Sequence, residues 1–387
     1  MSGGPARLLC VLAVAAAALP AAAASDRFVP ADPQFVVANV RQATPDAELR
    51  GLIERWRAAP VDAASVALAR AFVERAHSLR EPMYYGRAES VLAAAAGRPG
   101  ASSETRRLWA QTLQYRHEFT AAERLLDAIL RQSPLDAAAR TQRASVRLVR
   151  GDFDGARADC AQLMASGASR AVALACLAES FGGSGRLEQA RALLAAYPLG
   201  ESEPAVARAY FLTVRAELAE REHELDHAIA DYRVALTLAP FDDSIRASLA
   251  DALVARGAPD QADVLLRVDR PSLALVVRRA GCTRGAERAR LHALASSWLE
   301  LEAARGDALH NREAALLALA DGDAARALAA AEKNFVSQKE LSDVRVLARA
   351  ATAAGDAAAR ARLADWLRTT GFADAVTQNI LGMRRGG

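Results

Sequence analysis

Alanine recurs in this chain at a fixed interval, and that interval limits what the chain can fold into. Ala88, Ala122, Ala156 and Ala190 stand 34 residues apart; Ala228 follows after 38 and Ala262 after another 34. Twelve positions before each of these anchors stands a second alanine: Ala76, Ala110, Ala144, Ala178, Ala216 and Ala250. About a quarter of the chain is alanine, so one column could arise from composition alone. Two columns in one register across six units are too regular for that. The four additional residues of the longer step fall at 200–203, which reads as a loop.

Further columns keep the register. Three before the anchor stand Tyr85, Phe119, Phe153, Leu187 and Leu225, with Pro259 departing in the last unit. Four after it come Leu92, Leu126, Cys160, Leu194, Tyr232 and Leu266. Anchor and +4 residue share one face of a helix that the −3 residue opens. Gly151, Gly185 and Gly257 recur just before that helix, where a left-handed turn residue is wanted. Pro134 and Pro240 close two units by stopping the second helix. Each period is therefore a helix–turn–helix. Alanine is the best helix former, and aromatics are only 5%, which argues against β-rich folds. With 52% hydrophobic and 25% charged residues, disorder is excluded as the main state. The expected fold is an all-α solenoid. A hairpin cannot bury its apolar stripe alone, and stacked hairpins bury it as one core. Alanine at the closest crossings lets helix axes approach near the lower limit of packing distance.

Residues 69–271 resemble the tetratricopeptide repeat family in this pattern: a 34-residue hairpin, small residues where helices touch, an aromatic at the turn, a closing proline. Phe72 holds the place of the family's early aromatic, whereas Arg106 and Arg140 stand there in later units. The resemblance implies a right-handed superhelix, a protein-interaction role, a groove lined by first helices, and no catalysis. Some members grip a terminal carboxylate with Lys and Asn. Val73, His77, Arg107, Gln111 and Thr141 occupy the comparable places here, so that clamp is not reproduced.

The flanks differ in character. Arg7, an uncharged apolar run at 8–19, Pro20 and the small residues Ala22, Ala23 and Ala24 have the order of a secretory signal peptide, 1–24, cut after Ala24. The run is too short to span a membrane comfortably, and Cys10 comes too early to be a lipidation site. No later stretch approaches membrane length without charges, so the mature chain is expected in the periplasm or secreted, without membrane insertion. Residues 25–44, with Pro30, Pro33, Phe28, Phe35, Val36 and Val37, read as an extended apolar strap. The array proper is 45–271, entered by a helix at 45–59 with Leu52, Ile53 and Trp56 on one face. Residues 272–387 read as degenerate repeats. They comprise a long helix at 287–304, turns at Gly322-Asp323 and Gly355-Asp356, and a capping helix at 357–369 carrying Trp366.

Chemistry-bearing residues are sparse. After residue 24 the cysteines are Cys160, Cys176 and Cys282, which form no disulfide framework. A Cys160–Cys176 bridge and three buried thiols both stay open. The segment His223-Glu224-Leu225-Asp226-His227 fits a zinc-hydrolase pattern, whose two His must share a helix face. The repeat register instead puts His223 in the inter-helix turn, and no Glu follows before Glu287. A zinc-dependent hydrolase is thus the alternative reading, and the leading one has no catalytic residue, metal or cofactor. His77, His117, His292 and His310 form no ligand spacing. A formal charge of +3 gives no strong polyanion field, so nucleic acid is not an expected partner.

The groove is the expected functional surface. First-helix positions facing it are Arg70, His77, Arg80, Glu104, Arg107, Gln111 and Gln114 toward the amino end. Further along they are Glu179, Tyr210, Thr213, Glu217, Glu220 and Asp251. It reads as basic at one end and acidic at the other, suited to an envelope protein or extended peptide. Amino-terminal sequencing of the exported protein is expected to begin at or beside Ser25; a mature chain beginning at Met1 refutes cleavage.

Overall fold

The computed structural model describes residues 47–383 apart from 80–82, 99 and 305–309. The expected signal peptide and strap, Arg80 and the side chain of His77 lie outside the described residues. Ala47–Gly387 is one compact unit, so the change of character near residue 271 is a change of regularity within it.

Among the described residues the secondary structure is helical, without strands. The amino-terminal hairpins are built from α1 (Ala47–Ala58), α2 (Asp62–Leu79), α3 (Met83–Ala96), α4 (Ser103–Tyr115), α5 (Phe119–Gln132), α6 (Ala137–Arg150) and α7 (Phe153–Leu163). Then come α8 (Arg170–Gly183), α9 (Leu187–Ala195), α10 (Ala205–Arg221), α11 (Leu225–Leu238), α12 (Asp243–Ala255) and α13 (Pro259–Leu265). The remainder is α14 (Leu273–Cys282), α15 (Gly285–Ala304), α16 (Asn311–Asp321), α17 (Ala324–Phe335), α18 (Leu341–Ala353), α19 (Ala357–Thr370) and α20 (Ala375–Ile380). None of these helices is long and apolar enough to cross a membrane.

The repeat register explains the packing. The −3 residues Phe119, Phe153, Leu187 and Leu225 are the first residues of α5, α7, α9 and α11. All twelve column alanines are buried, and so are the six +4 residues from Leu92 to Leu266. Each even-numbered helix packs on the odd-numbered helix that follows it. Even-numbered helices also touch in succession, from α2 to α10 and again from α12 to α20, forming one inner wall. Side-chain oxygens of Ser102, Asp136, Asp152, Ser169, Asp242, Asp323, Asp356 and Asp374 accept from backbone N–H groups at helix starts. Such caps are worth about 1 kcal/mol each.

Five inter-helix turns place the residue five before the anchor in the left-handed region: His117, Gly151, Gly185, His223 and Gly257, with φ between 59° and 84°. Gly322 and Gly355 repeat the device at the turns expected from the sequence.

The arginine that stands in a later unit where Phe72 stands in the first has a structural reason. Arg140 is buried, donates to the carbonyl of Pro134 and pairs with Asp159 on α7 at 3.1 Å. Arg143 and Arg147 also donate to Asp159, each at 2.9 Å. A charged net thus fills the place of an apolar contact and ties the closing proline to the next helix. Arg246 on α12 repeats the tie, donating to the carbonyl of Pro240 at 2.8 Å.

Leu52, Ile53 and Trp56 of α1 pack together on one core cluster beside the buried Leu49. One sequence expectation needs amendment: the chain does not end its fold on 357–369. Gly371 stops α19 in a left-handed conformation and Asp374 caps a further helix, α20. Trp366 packs inward against Phe335 and Phe372, with ring centres 5.1 and 5.2 Å away.

Of the two open readings for the cysteines, the structure takes the bridge: Cys160 on α7 and Cys176 on α8 are joined, with Cα atoms 5.5 Å apart. A loop of this length restricts the unfolded chain by about 3 kcal/mol. Replacing both cysteines by Ala is expected to lower the unfolding free energy by about 2–4 kcal/mol, read from urea midpoints. Dithiothreitol should shift the wild type and leave the variant unmoved.

Candidate functional site

The inner wall carries the residues that the sequence assigned to the groove. On α4, Arg107, Gln111 and Gln114 are half-exposed and lie one turn apart along one face. The side-chain amides of Gln114 and Gln142 meet at 2.7 Å, linking α4 to α6. Arg70 on α2 is exposed and pairs with Glu104 on α4. Thr213 donates its hydroxyl to its own helix, at the Ala209 carbonyl. Asp251 on α12 accepts from Arg278 on α14 at 2.9 Å.

Further along the wall, the chain's own carboxyl-terminal helices return. Arg345 on α18 pairs with Glu220 on α10, 125 positions earlier, and with Asp374 at 2.7 Å. Arg221 lies over the ring of Phe372, 4.2 Å from its centre, and donates to the Ala373 carbonyl at 3.3 Å. Lys339 donates its backbone N–H to the Val149 carbonyl at 2.7 Å. Leu148, Phe153 and Ala156 share one hydrophobic cluster with Leu341, Val344, Leu363 and Phe372.

The left-handed turns form the edge on which this segment docks. The Gln338 amide reaches His117 Nδ1 at 3.3 Å. A Cβ on Gly151 would stand 2.8 Å from Lys339 Cδ, and one on Gly185 would stand 2.0 Å from the Gly371 carbonyl oxygen. His223 and α20 together line a cavity of about 290 Å³. Sequence reading found the turn glycines and missed Arg345, Phe372 and Asp374. Arg345 and Phe372 meet partners more than a hundred residues away, Asp374 joins them through Arg345, and no local period signals any of the three.

Where the returning segment meets the wall, carboxyls crowd. Glu179 on α8 accepts from the Tyr210 hydroxyl on α10 at 2.6 Å. Burial, with the nearby Glu340 adding to it, pushes its pKa up to about 7. Burial and the Glu179 charge push Glu217 up to about 8. Burial also raises Glu220, although Arg345 and the Tyr232 hydroxyl offset part of that.

The zinc-hydrolase alternative is not assembled. His223 sits in the turn with φ 67°, and α11 begins only at Leu225. His227 is exposed on that helix, with Nδ1 3.3 Å from Glu224. Glu224 is paired with Arg191 at 3.0 Å. Among the described residues no three potential ligands gather. The Cys282 thiol is pushed up to about 11 by burial, which keeps it protonated and a poor nucleophile at neutral pH.

Period, hairpin pairing and buried alanine columns agree. The array is a tetratricopeptide-like solenoid. No protein-family model matches the sequence, and no curated protein does. Solved structures with a similar course include a tetratricopeptide repeat protein from Parabacteroides merdae, at 14% identity and TM-score 0.38, covering 73% of this chain and 98% of that one. The Cut9-Hcn1 hetero-tetramer of the APC/C is similar at 15% identity and TM-score 0.41, over 78% of this chain and 52% of that one. A human IFIT1 dimer with PPP-AAAA is similar at 11% identity and TM-score 0.46, over 86% and 84%.

The two histidines in left-handed turns differ in what holds them. His117 stacks on Phe119 and meets Gln338, whereas His223 is exposed. Glycine at 223 is expected to raise the unfolding free energy by about 0.5–1 kcal/mol through relief of the left-handed conformation. Glycine at 117 is expected to give no gain, because the ring contacts are lost. Thermal and urea unfolding of the two variants check this.

Proposed function

We propose that the protein is an exported, non-enzymatic scaffold of the bacterial envelope that holds a protein or an extended peptide on the amino-terminal part of its inner wall. The observation that carries this reading is the polar row on α4, where Arg107, Gln111 and Gln114 are half-exposed on one face. Carboxamides both donate and accept, so Gln111 and Gln114 can match the alternating N–H and C=O groups of an extended backbone. Arg107 adds a charged contact suited to a carboxylate. The order of residues 1–24 supports export. A disulfide between Cys160 and Cys176 suits an oxidising compartment.

Contacts of this exposed kind are each worth about 0–1 kcal/mol, so the row steers and orients more than it grips. A partner is to be captured by cross-linking in the native envelope and its binding then measured with purified components. Replacing Arg107 by Ser together with Gln111 and Gln114 by Ala is expected to weaken association roughly tenfold. It should also flatten the salt dependence, with helicity unchanged. Arg124→Ser, on the exposed surface of α5, should change neither. Unchanged affinity and salt response in the triple variant removes the inner wall as the site.

A further inference from the structure

The seam between α8, α10 and the returning helices holds more carboxyls than it neutralises. From α8 comes Glu179, and from α10 come Tyr210, Glu217, Glu220 and Arg221. The returning segment brings Glu340, Arg345 and Asp374. Tyr232 on α11 and Asp251 on α12 act on Glu220 from behind. The cations facing this set are already engaged. Arg345 bridges Glu220 and Asp374. Arg221 is held by the Phe372 ring and the Ala373 carbonyl, and its charge offsets part of the shift at both Glu179 and Glu217. Glu340 is taken up by Arg312 on α16. The Tyr210 hydroxyl serves Glu179, and among the described residues no donor lies within hydrogen-bond distance of the Glu217 carboxyl.

We propose that the segment from α16 to α20 is a pH-responsive clasp on α8 and α10, closed while the Glu179–Glu217 pair keeps a proton and loosened when both carboxyls ionise. The physical reason is burial, which disfavours the charged form of both carboxyls, with repulsion among the neighbouring carboxyls added to it. One guanidinium, Arg221, offsets only part of the cost of two charged carboxylates in a half-buried seam, and Glu340 on the clasp, although paired with Arg312, still adds to the shift at both. Opening the seam lets water solvate both carboxylates and separates them from Glu340.

The direction follows from linkage. Both carboxyls bind protons more tightly in the closed state than in the open one, where they return to the ordinary carboxylate range near 4.3. Their contribution to closure is therefore largest in acid. It weakens as pH rises from that range through about 7 and about 8, the closed-state values, and changes little above them. This inference does not rest on the proposed function, since it concerns the chain alone.

The test is hydrogen exchange on the full chain, after correction for intrinsic rates. The reporter is the Lys339 amide, which is bonded to the Val149 carbonyl only when the clasp is docked. Between pH 5 and pH 8.5 its opening constant is expected to rise at least tenfold in the wild type. Glu179→Gln with Glu217→Gln mimics the protonated pair and should hold the constant at its acid value throughout. Glu217→Gln alone should leave a smaller rise. A wild type with flat exchange, or a double variant that opens with pH as the wild type does, overturns the proposal. Should the double variant fail to fold, the single variant decides: a rise equal to that of the wild type also overturns it.

Discussion

The distance between helix axes is the constraint on which the rest depends, and alanine sets it. Every column alanine is buried at a crossing, and a larger side chain there would have to push its neighbour away. With the crossings filled by methyl groups, each hairpin lies close on the last, and larger residues fill the remaining space from a second column. Leu92, Leu126, Leu194 and Leu266 do this, with Tyr232 and the disulfide-bonded Cys160 in the same place. The bridge is thus a variant of a packing position: Cys160 stands where leucine stands in four other units, and a covalent bond replaces part of its contact surface.

The left-handed turns serve two purposes, and the glycines separate them. At Gly257 an added Cβ would meet open space, so only the backbone conformation favours glycine there. At Gly185 the added Cβ would collide with the Gly371 backbone, so the turn must also stay bare for the returning chain to pass. Gly371 mirrors this, since its own Cβ would stand 2.8 Å from the Ser184 carbonyl oxygen. Two left-handed glycines facing each other let two turns approach at backbone distance. His117 solves the same position differently, accepting an unfavourable conformation while its ring stacks on Phe119 and reaches Gln338.

The hairpins, their register and the inter-helix turns were legible from residue spacing because each is local, settled within about 34 residues. The closure was not. Arg345 lies in the degenerate repeats and Glu220 in the regular array, neither carries a local signal of the other, and which repeats meet depends on many small rotations summed along the wall. The same gap explains Glu179 and Glu217. At their register positions they read as solvated groove residues, whereas in the structure both are half-buried, with Glu340 of the returning segment among their neighbours. Arg140 misled in another way. A charged residue in an aromatic column looks like decay of the motif, yet Asp159, nineteen positions on, makes it a buried pair. Helix α20 escaped notice because six residues are too few for a hydrophobic period, and the Asp374 cap becomes a signal only once its buried contact with Arg345 is known.

Joining the carboxyl-terminal end of the wall to its middle by ion pairs, rather than by apolar contact alone, has an energetic consequence. Arg345 leaves water to meet Glu220 and Asp374, and desolvation cancels much of that attraction, so such a bridge adds little net stability. Removing one partner is costly, about 3–5 kcal/mol, because a charge is then left buried and unpaired. The bridge therefore fixes which surfaces meet more than how tightly they hold. The apolar cluster of Phe153, Leu341, Val344 and Phe372 supplies the adhesion, and the unneutralised Glu179–Glu217 pair works against it. An interface built from a specific but weak bridge, a modest apolar contact and a titrating repulsion lies close to balance. That places the acidic part of the inner wall under the control of conditions around the protein, while the polar row on α4 stays accessible.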